Sequence, residues 1–331
     1  MKYEMKPLFE ERMRKLIPDE KDFQEYNKIV HKGPRNFIRC NTLKISPDEL
    51  IKKLREKWQV QQPYPDFPEI MLIETDLKPG ELGNSTEHIL GYYYVQEVCS
   101  MTSAIALDPQ PGELILDVCA SPGSKTTQIA SKMLSQGTLI ANDLKMDRIA
   151  ILASNLEKAG ATNCIITRND AINLCSNFKK NNIHFDKILL DSPCSGEGTL
   201  RSSQKTFLMW NEKVINKFSR QQKKMIAFAL KCLKVGGTLV YSTCTHSPEE
   251  NELVIDFALK NFPVKVESIH LPLKCRPGVT KWKDEVYDNN VSKACRIYPQ
   301  DNDSEGFFVC KLTLTAEIKD NYHQKYQNNK I

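Results

Sequence analysis

The chain has eleven cysteines but no Cys-x-x-Cys pair, and no Cys/His spacing typical of a zinc site. No metal is therefore expected. No run approaches the roughly 18 apolar residues of a membrane-spanning helix. The opening Met1-Lys-Tyr-Glu-Met-Lys6 carries charge where a secretory leader needs an apolar core. Neither export nor a membrane partner is expected, and the cysteines read as reduced thiols in a cytoplasm. A Gly-x-Gly-x-x-Gly dinucleotide fingerprint is missing. Gly123-Ser-Lys-Thr126 falls short of a nucleotide phosphate loop, because Ser124 stands where glycine should precede the lysine.

What is present is ordinary in bulk and uneven in detail. The 331 residues are 40% apolar and 26% charged, as in a globular protein. The length suits one large domain and a smaller one. The net charge of +5 sits at one end: residues 1–57 hold 15 Lys/Arg against 10 Asp/Glu, and the rest balance. That surplus favours a polyanionic partner for the N-terminal region. There, Phe37–Leu43 reads as a strand. Ser46-Pro-Asp-Glu49 is a capping box opening a helix to Lys57. Arg35, Arg39, Lys44, Lys52, Lys53 and Arg55 on this unit could bind nucleic acid, or the unit could be a packing cap.

The chain is organised around Leu114-Ile-Leu-Asp-Val-Cys119-Ala-Ser-Pro-Gly123-Ser-Lys-Thr-Thr-Gln-Ile-Ala130. An apolar run reads as a buried strand, a small-residue turn follows, and Lys125 opens an amphipathic helix. Helix N-termini offer free N–H groups and a positive dipole end. From here strands are expected near 113–118, 137–142, 163–168, 186–191, 237–243, 264–270 and 306–313. Helices are expected near 98–107, 124–135, 146–159, 171–179, 211–233 and 248–261. Such alternation implies an α/β fold with a mostly parallel sheet flanked by helices, which binds ligands at the carboxyl ends of its strands. Three segments follow: a basic N-terminal region to residue 90, a catalytic domain over 91–315, and a polar tail over 316–331, expected to be mobile.

The strand ends carry a coherent set of groups. They are Cys119–Lys125, Asn142-Asp143, Arg168-Asn-Asp170, Asp191-Ser-Pro-Cys194 and Tyr241-Ser-Thr-Cys244. An acid after the second strand suits both hydroxyls of a ribose. One after the third can accept from the adenine amine, and Lys125 can hold a carboxylate. Ribose, adenine and an amino-acid carboxylate together describe S-adenosylmethionine. Cys194 and Cys244 follow short polar turns and should both face the cleft. Ser247-Pro-Glu-Glu250 reads as a second capping box, whose helix would point its dipole at Cys244. Paired thiols beside a methyl donor suggest nucleophilic catalysis.

On these residues the chain resembles the NOP/Sun family of RNA cytosine-5 methyltransferases. The matching pieces are Pro34–Lys44, Tyr93–Glu97, Leu116–Thr126, Asp191–Thr199, Tyr241–Thr245 with Pro248–Glu252, Arg296–Pro299 and Glu305–Phe308. The resemblance implies a Rossmann-like class I methyltransferase with a seven-stranded sheet and S-adenosylmethionine as cofactor. Cys119, Ala120, Ser121, Pro122, Gly123, Ser124 and Lys125 would line the donor's methionine end. Asp143 would hold the ribose, Asp170 the adenine ring, Arg148 would also bind the cofactor, and Asp191 would lie between donor and base. Cys244 would be the nucleophile and Cys194 the helper in product release. Arg35, Arg39, Lys44, Arg201 and Lys205 would contact RNA, as would Lys213, Lys217, Arg220, Lys223 and Lys224. The family pattern has glycine at Ser124, which fits only if its φ is negative. A monomer acting on tRNA is expected, with ribosomal RNA the alternative. A non-catalytic RNA-binding protein on the same fold is the reading from another class.

Overall fold

A computed structural model describes residues 4–318; residues 319–331, most of the expected tail, lie outside the described residues. Its main sheet follows the apolar runs. Strands Cys164–Arg168, Thr138–Asp143, Leu114–Asp117, Phe185–Asp191 and Leu233–Thr243 lie side by side and parallel. Phe307–Leu314 joins antiparallel to Leu233–Thr243, and Val264–Glu267 pairs with its outer edge. These are the seven expected strands. Two short additions, Cys295–Ile297 and Arg276–Pro277, extend the same edge and make nine. The strand order reverses beside Leu114–Asp117, which has Thr138–Asp143 on one side and Phe185–Asp191 on the other. A ligand crevice opens at such a switch point.

The strands are apolar on both faces because helices cover both. Leu116, Ile188, Leu190, Leu239 and Tyr241 pack toward Ile226 and Leu230 of helix Glu212–Leu230 and Val254 and Ile255 of helix Glu252–Asn261. Ile115, Leu189 and Val240 face the other way, onto Met101 and Ala104 of helix Val98–Leu107 and Ile129 and Ala130 of helix Ser124–Lys132.

The N-terminal region forms a four-stranded antiparallel sheet in the order Val60–Gln61, Ile70–Ile73, Asn36–Cys40, Tyr93–Val95, so it takes a strand from beyond residue 90. Helix Pro47–Arg55 covers it with Leu50, Ile51 and Leu54, and its Ser46–Glu49 capping box forms in both directions. Helices Pro7–Leu16 and Glu20–Ile29 bury Phe9, Met13, Phe23 and Tyr26 against Leu200, Phe207, Trp210 and Tyr298. These two helices thus brace the segment that follows Cys194.

One buried ion pair ties the added edge strand to a helix. Arg296 Nη2 donates to Glu252 Oε2 at 2.6 Å, with the two side chains 3% and 0% exposed. Removing the arginine would strand a charge in the interior. Arg296→Met should therefore cost about 3–5 kcal/mol in urea unfolding. Arg296→Met with Glu252→Gln should recover much of that loss. Equal losses in the two variants would contradict the account.

Candidate active site

The turn after strand Leu114–Asp117 is built by its neighbours. Ala120 N donates to Asn142 O at 2.8 Å, and Ser121 Oγ donates to Arg148 O at 2.7 Å. Gly123 takes the left-handed backbone conformation, φ +106°, that glycine adopts freely. Ser124 is then the first residue of the helix and is not among the residues with positive φ, so its departure from the family pattern carries no strain. Asn142 fastens three strand ends together. Its amide donates to Val118 O at 3.1 Å and Asn169 O at 3.0 Å, and its oxygen accepts from Asn169 N at 3.0 Å.

Four carboxylates ring this turn. Asp117 is buried and accepts from Thr126 Oγ1 at 2.7 Å on one oxygen; the other has no partner. Burial pushes its carboxyl up to about 7. Asp143 is buried, with Arg148 at 3.4 Å. Asp170 caps the next helix, accepting from Ile172 N and Asn173 N through one oxygen; among the described residues no bond to the other is made. Asp191 accepts from Ser242 Oγ at 2.7 Å and pairs with Lys125 Nζ at 2.8 Å. Lys125 thus holds a carboxylate of the protein itself. Burial works against its charge, but Asp191, Cys244 and Asp117 outweigh that and keep its pKa above the usual lysine value. The donor's amine, ribose hydroxyls and adenine amine are all hydrogen-bond donors. Acceptors at Asp117, Asp143 and Asp170, on consecutive strand ends, fit that set.

The two expected thiols meet. Cys194 Sγ and Cys244 Sγ stand 3.3 Å apart. Their hydrogen bond, and then burial, raise the Cys194 thiol well above its usual range, so Cys194 keeps its proton beside the Cys244 sulfur. Their loops are clamped by backbone. Gly198 N donates to Cys244 O at 2.9 Å, and Gly306 N donates to Gly198 O at 2.8 Å. A Cβ on Gly198 would strike the Gly306 carbonyl, and one on Gly306 would strike the His246 ring. That ring stacks on Tyr298, centroids 5.1 Å apart, and burial pulls its pKa down to about 3.

The expected helix at Ser247 is a correction. The helix begins only at Glu252, eight residues past Cys244, and its N-cap Asn251 accepts from Thr243 Oγ1 at 2.6 Å and donates to Thr245 O at 2.9 Å. The acids of that stretch serve other segments. Glu249 Oε2 accepts from Arg12 at 2.7 Å, and Glu250 Oε2 accepts from Ser195 N at 3.0 Å and Gln222 Nε2 at 3.0 Å. Gln222 Nε2 also donates to Pro193 O at 2.9 Å. Glu250 and Gln222 thus hold the Cys194 turn from behind. Sequence reasoning passed over both, because Glu250 was read as part of a cap.

The residues proposed for RNA separate. Arg39 is 2% exposed and donates to Ser124 O at 2.7 Å and Thr127 Oγ1 at 2.8 Å; it bolts the small sheet to the donor-loop helix. Arg201 is 5% exposed and donates to Gly33 O at 2.7 Å, Ser304 O at 3.0 Å and Asp303 at 2.8 Å. Both guanidiniums are turned inward, where carbonyl and side-chain oxygens hold them, so neither is presented to a phosphate, a correction to the expected RNA contacts. Lys44 spends its ammonium on Lys158 O at 2.7 Å and Leu90 O at 3.0 Å. Arg35 is exposed and paired with Glu74 at 3.4 Å, and Lys205 is exposed. Tyr93, which opens the Tyr93–Glu97 piece, is buried.

Comparison with known proteins places the chain in a family. A family model described as 16S rRNA methyltransferase RsmB/F matches residues 104–313, and one for the N-terminal domain of 16S rRNA methyltransferase RsmF matches residues 5–98. The tRNA (cytosine(49)-C(5))-methyltransferase of Pyrococcus abyssi is 41% identical over 88% of this chain and 92% of its own length. Ribosomal RNA small subunit methyltransferase F of Psychromonas ingrahamii is 36% identical over 93% of this chain, which spans 63% of that relative. A methyltransferase homolog protein from Pyrococcus horikoshii superposes with a TM-score of 0.79 at 32% identity, covering 93% of this chain and 94% of that one. NSun6 from the same organism, solved with SFG, gives 0.80 at 25% identity, covering 93% and 98%. The fold and site define an S-adenosylmethionine-dependent methyltransferase. Within that class, the chain belongs to the RsmB/F methyltransferase family.

Glu250 yields a pH test. Burial pushes its carboxyl up to about 8, against an ordinary value near 4.5. The folded state therefore keeps a proton that the unfolded chain loses between those values, so stability falls as pH rises through this window. The slope is up to about 1.4 kcal/mol per pH unit. Glu250→Gln mimics the protonated acid. Between pH 5 and 8 the wild type should lose Tm relative to that variant and level off above pH 8. Parallel Tm curves would show that Glu250 is ionised in the fold.

Proposed function

We propose that the protein methylates carbon 5 of cytosine in tRNA through a covalent bond between Cys244 and C6 of the base. The observation that carries this is the approach of the two thiols at adjacent strand ends, beside the Lys125–Asp191 pair. Bound S-adenosylmethionine supplies an electrophilic methyl group. Asp143 and Asp170 would hold its ribose and adenine, Asp117 its amine, and Cys119–Ser124 its methionine end. Leu144 and Met146, 57% and 63% exposed beside Asp143, would offer its ring apolar surface.

C5 of cytosine is a poor nucleophile. Attack of the Cys244 sulfur on C6 saturates the C5–C6 bond and makes C5 enamine-like, so that C5 can take the methyl group. Each Asp191 oxygen keeps a lone pair beyond its bonds to Ser242 and Lys125, which can accept from the base amine or a protonated N3. The C5 proton then leaves to water, and expulsion of the Cys244 sulfur as thiolate restores the C5–C6 double bond. Cys194, whose thiol proton lies beside that sulfur, serves the release by giving its proton to the departing Cys244 thiolate and regaining one from solvent. The target base must be unstacked to reach the cleft, which favours loops and junctions of folded RNA.

The tRNA reading rests on the Pyrococcus abyssi relative, 41% identical over 88% of this chain. The family description and the Psychromonas relative favour ribosomal RNA as the second reading. Bisulfite sequencing of tRNA and 16S rRNA after incubation with purified protein and donor decides between them. Methylcytosine in tRNA is expected, and its appearance in rRNA alone would overturn the choice. Cys244→Ala should lower methylation at least 10³-fold with donor affinity unchanged, and Cys194→Ala should accumulate a protein–RNA adduct that withstands denaturing electrophoresis. Methylation by the first variant, or normal turnover without adduct in the second, would remove that cysteine from the mechanism.

A further inference from the structure

Helix Glu212–Leu230 buries one face and leaves the other bare. Ile215, Ser219, Gln222, Met225, Ile226 and Leu230 point inward. Lys213, Lys217, Arg220 and Lys224 recur at four, three and four residues, which places them on one stripe of the opposite face. All four are exposed, and with Asn216 and Gln221 they line a shallow depression of about 550 Å³. Among the described residues no carboxylate pairs with any of them. Glu212 is the sole acid of this helix, and Arg12 and Lys283 take it up. Lys223 lies off the stripe, half-buried, where its charge feels Glu285 and Asp256. Like charges one turn apart repel, so this face is held at a cost that an anionic ligand would relieve.

Topology says what that ligand is. Strand Phe185–Asp191 ends at the Cys194 turn, and the next parallel strand, Leu233–Thr243, starts at the far edge of the sheet. The helix joining them therefore begins at the rim of the cleft and runs away from it. Its inner face already touches the catalytic turn, through Gln222 and Pro193 O. The stripe spans roughly 16 Å, eleven residues at a rise of about 1.5 Å each.

We propose that this stripe is the track for the phosphodiester backbone of RNA flanking the target cytosine. The proposal rests on the reading of the protein as an RNA methyltransferase and supplies a surface that the buried Arg39 and Arg201 cannot. The test replaces all four cations, Lys213→Gln, Lys217→Gln, Arg220→Gln and Lys224→Gln, in the full chain. Glutamine keeps helix propensity, and circular dichroism with donor affinity checks the fold. Each phosphate contact contributes about 0.7–0.9 to the slope of log affinity against log salt. From 50 to 200 mM salt the wild type should therefore lose roughly 50–150-fold more RNA affinity than the variant. In turnover, the loss should appear in KM rather than kcat. Equal salt slopes and equal KM would overturn the proposal, as would stripe-dependent binding to phosphatidylglycerol vesicles with RNA binding untouched. If wild type transfers no methyl group to any RNA, the reading of the reaction fails; a variant that still loses the salt slope would leave the track standing.

Discussion

The site depends on a close passage of three backbone segments. Gly198, four residues past Cys194, lies between the Cys244 carbonyl and Gly306, with hydrogen bonds of 2.9 and 2.8 Å. Neither glycine has room for a Cβ. Two loops that leave separate strands are thereby locked to a third strand, and the thiols come to 3.3 Å. Glu250 and Gln222 brace the Cys194 turn from behind, and the N-terminal helices brace the segment after it. Packing at this density turns two flexible turns into one rigid unit, which positional catalysis requires.

Much of this was legible in the chain. Apolar runs separated by helical spacing marked every principal strand. Small residues after Val118 marked the donor turn, and the two Ser/Thr/Pro–Cys turns marked the thiols. The capping box at Ser46 formed as read, because its glutamate has no competing partner. The same pattern at Ser247 did not form. There Arg12, Ser195 and Arg296 draw Glu249, Glu250 and Glu252 into tertiary bonds, and the helix starts later. Local rules report local energies, and two charge-assisted bonds, with a third to the neutral Glu250 carboxyl, outweigh one cap.

Charge was the least legible property. The N-terminal surplus suggested a basic face, but Arg12 and Arg39 are buried and hold segments together. A guanidinium serves equally well as a phosphate ligand or as a bolt between carbonyls, and composition does not separate the two. Lys125 shows the same ambiguity. Its position fits the donor's carboxylate, yet the fold gives it Asp191, which couples the donor helix to the strand that leads to Cys194. The helix Glu212–Leu230 is the opposite case, since its periodicity alone puts four cations on one face.

The central claim is that the Cys244 sulfur bonds to the base. RNA carrying 5-fluorocytosine tests it most directly, because after methyl transfer C5 bears fluorine in place of the proton that must leave. With S-adenosylmethionine present, the protein should become covalently bound to this RNA, and peptide mapping by mass spectrometry should find the nucleotide on Cys244. Attachment to Cys194, or methylation of ordinary RNA with no trapped adduct, would contradict the account.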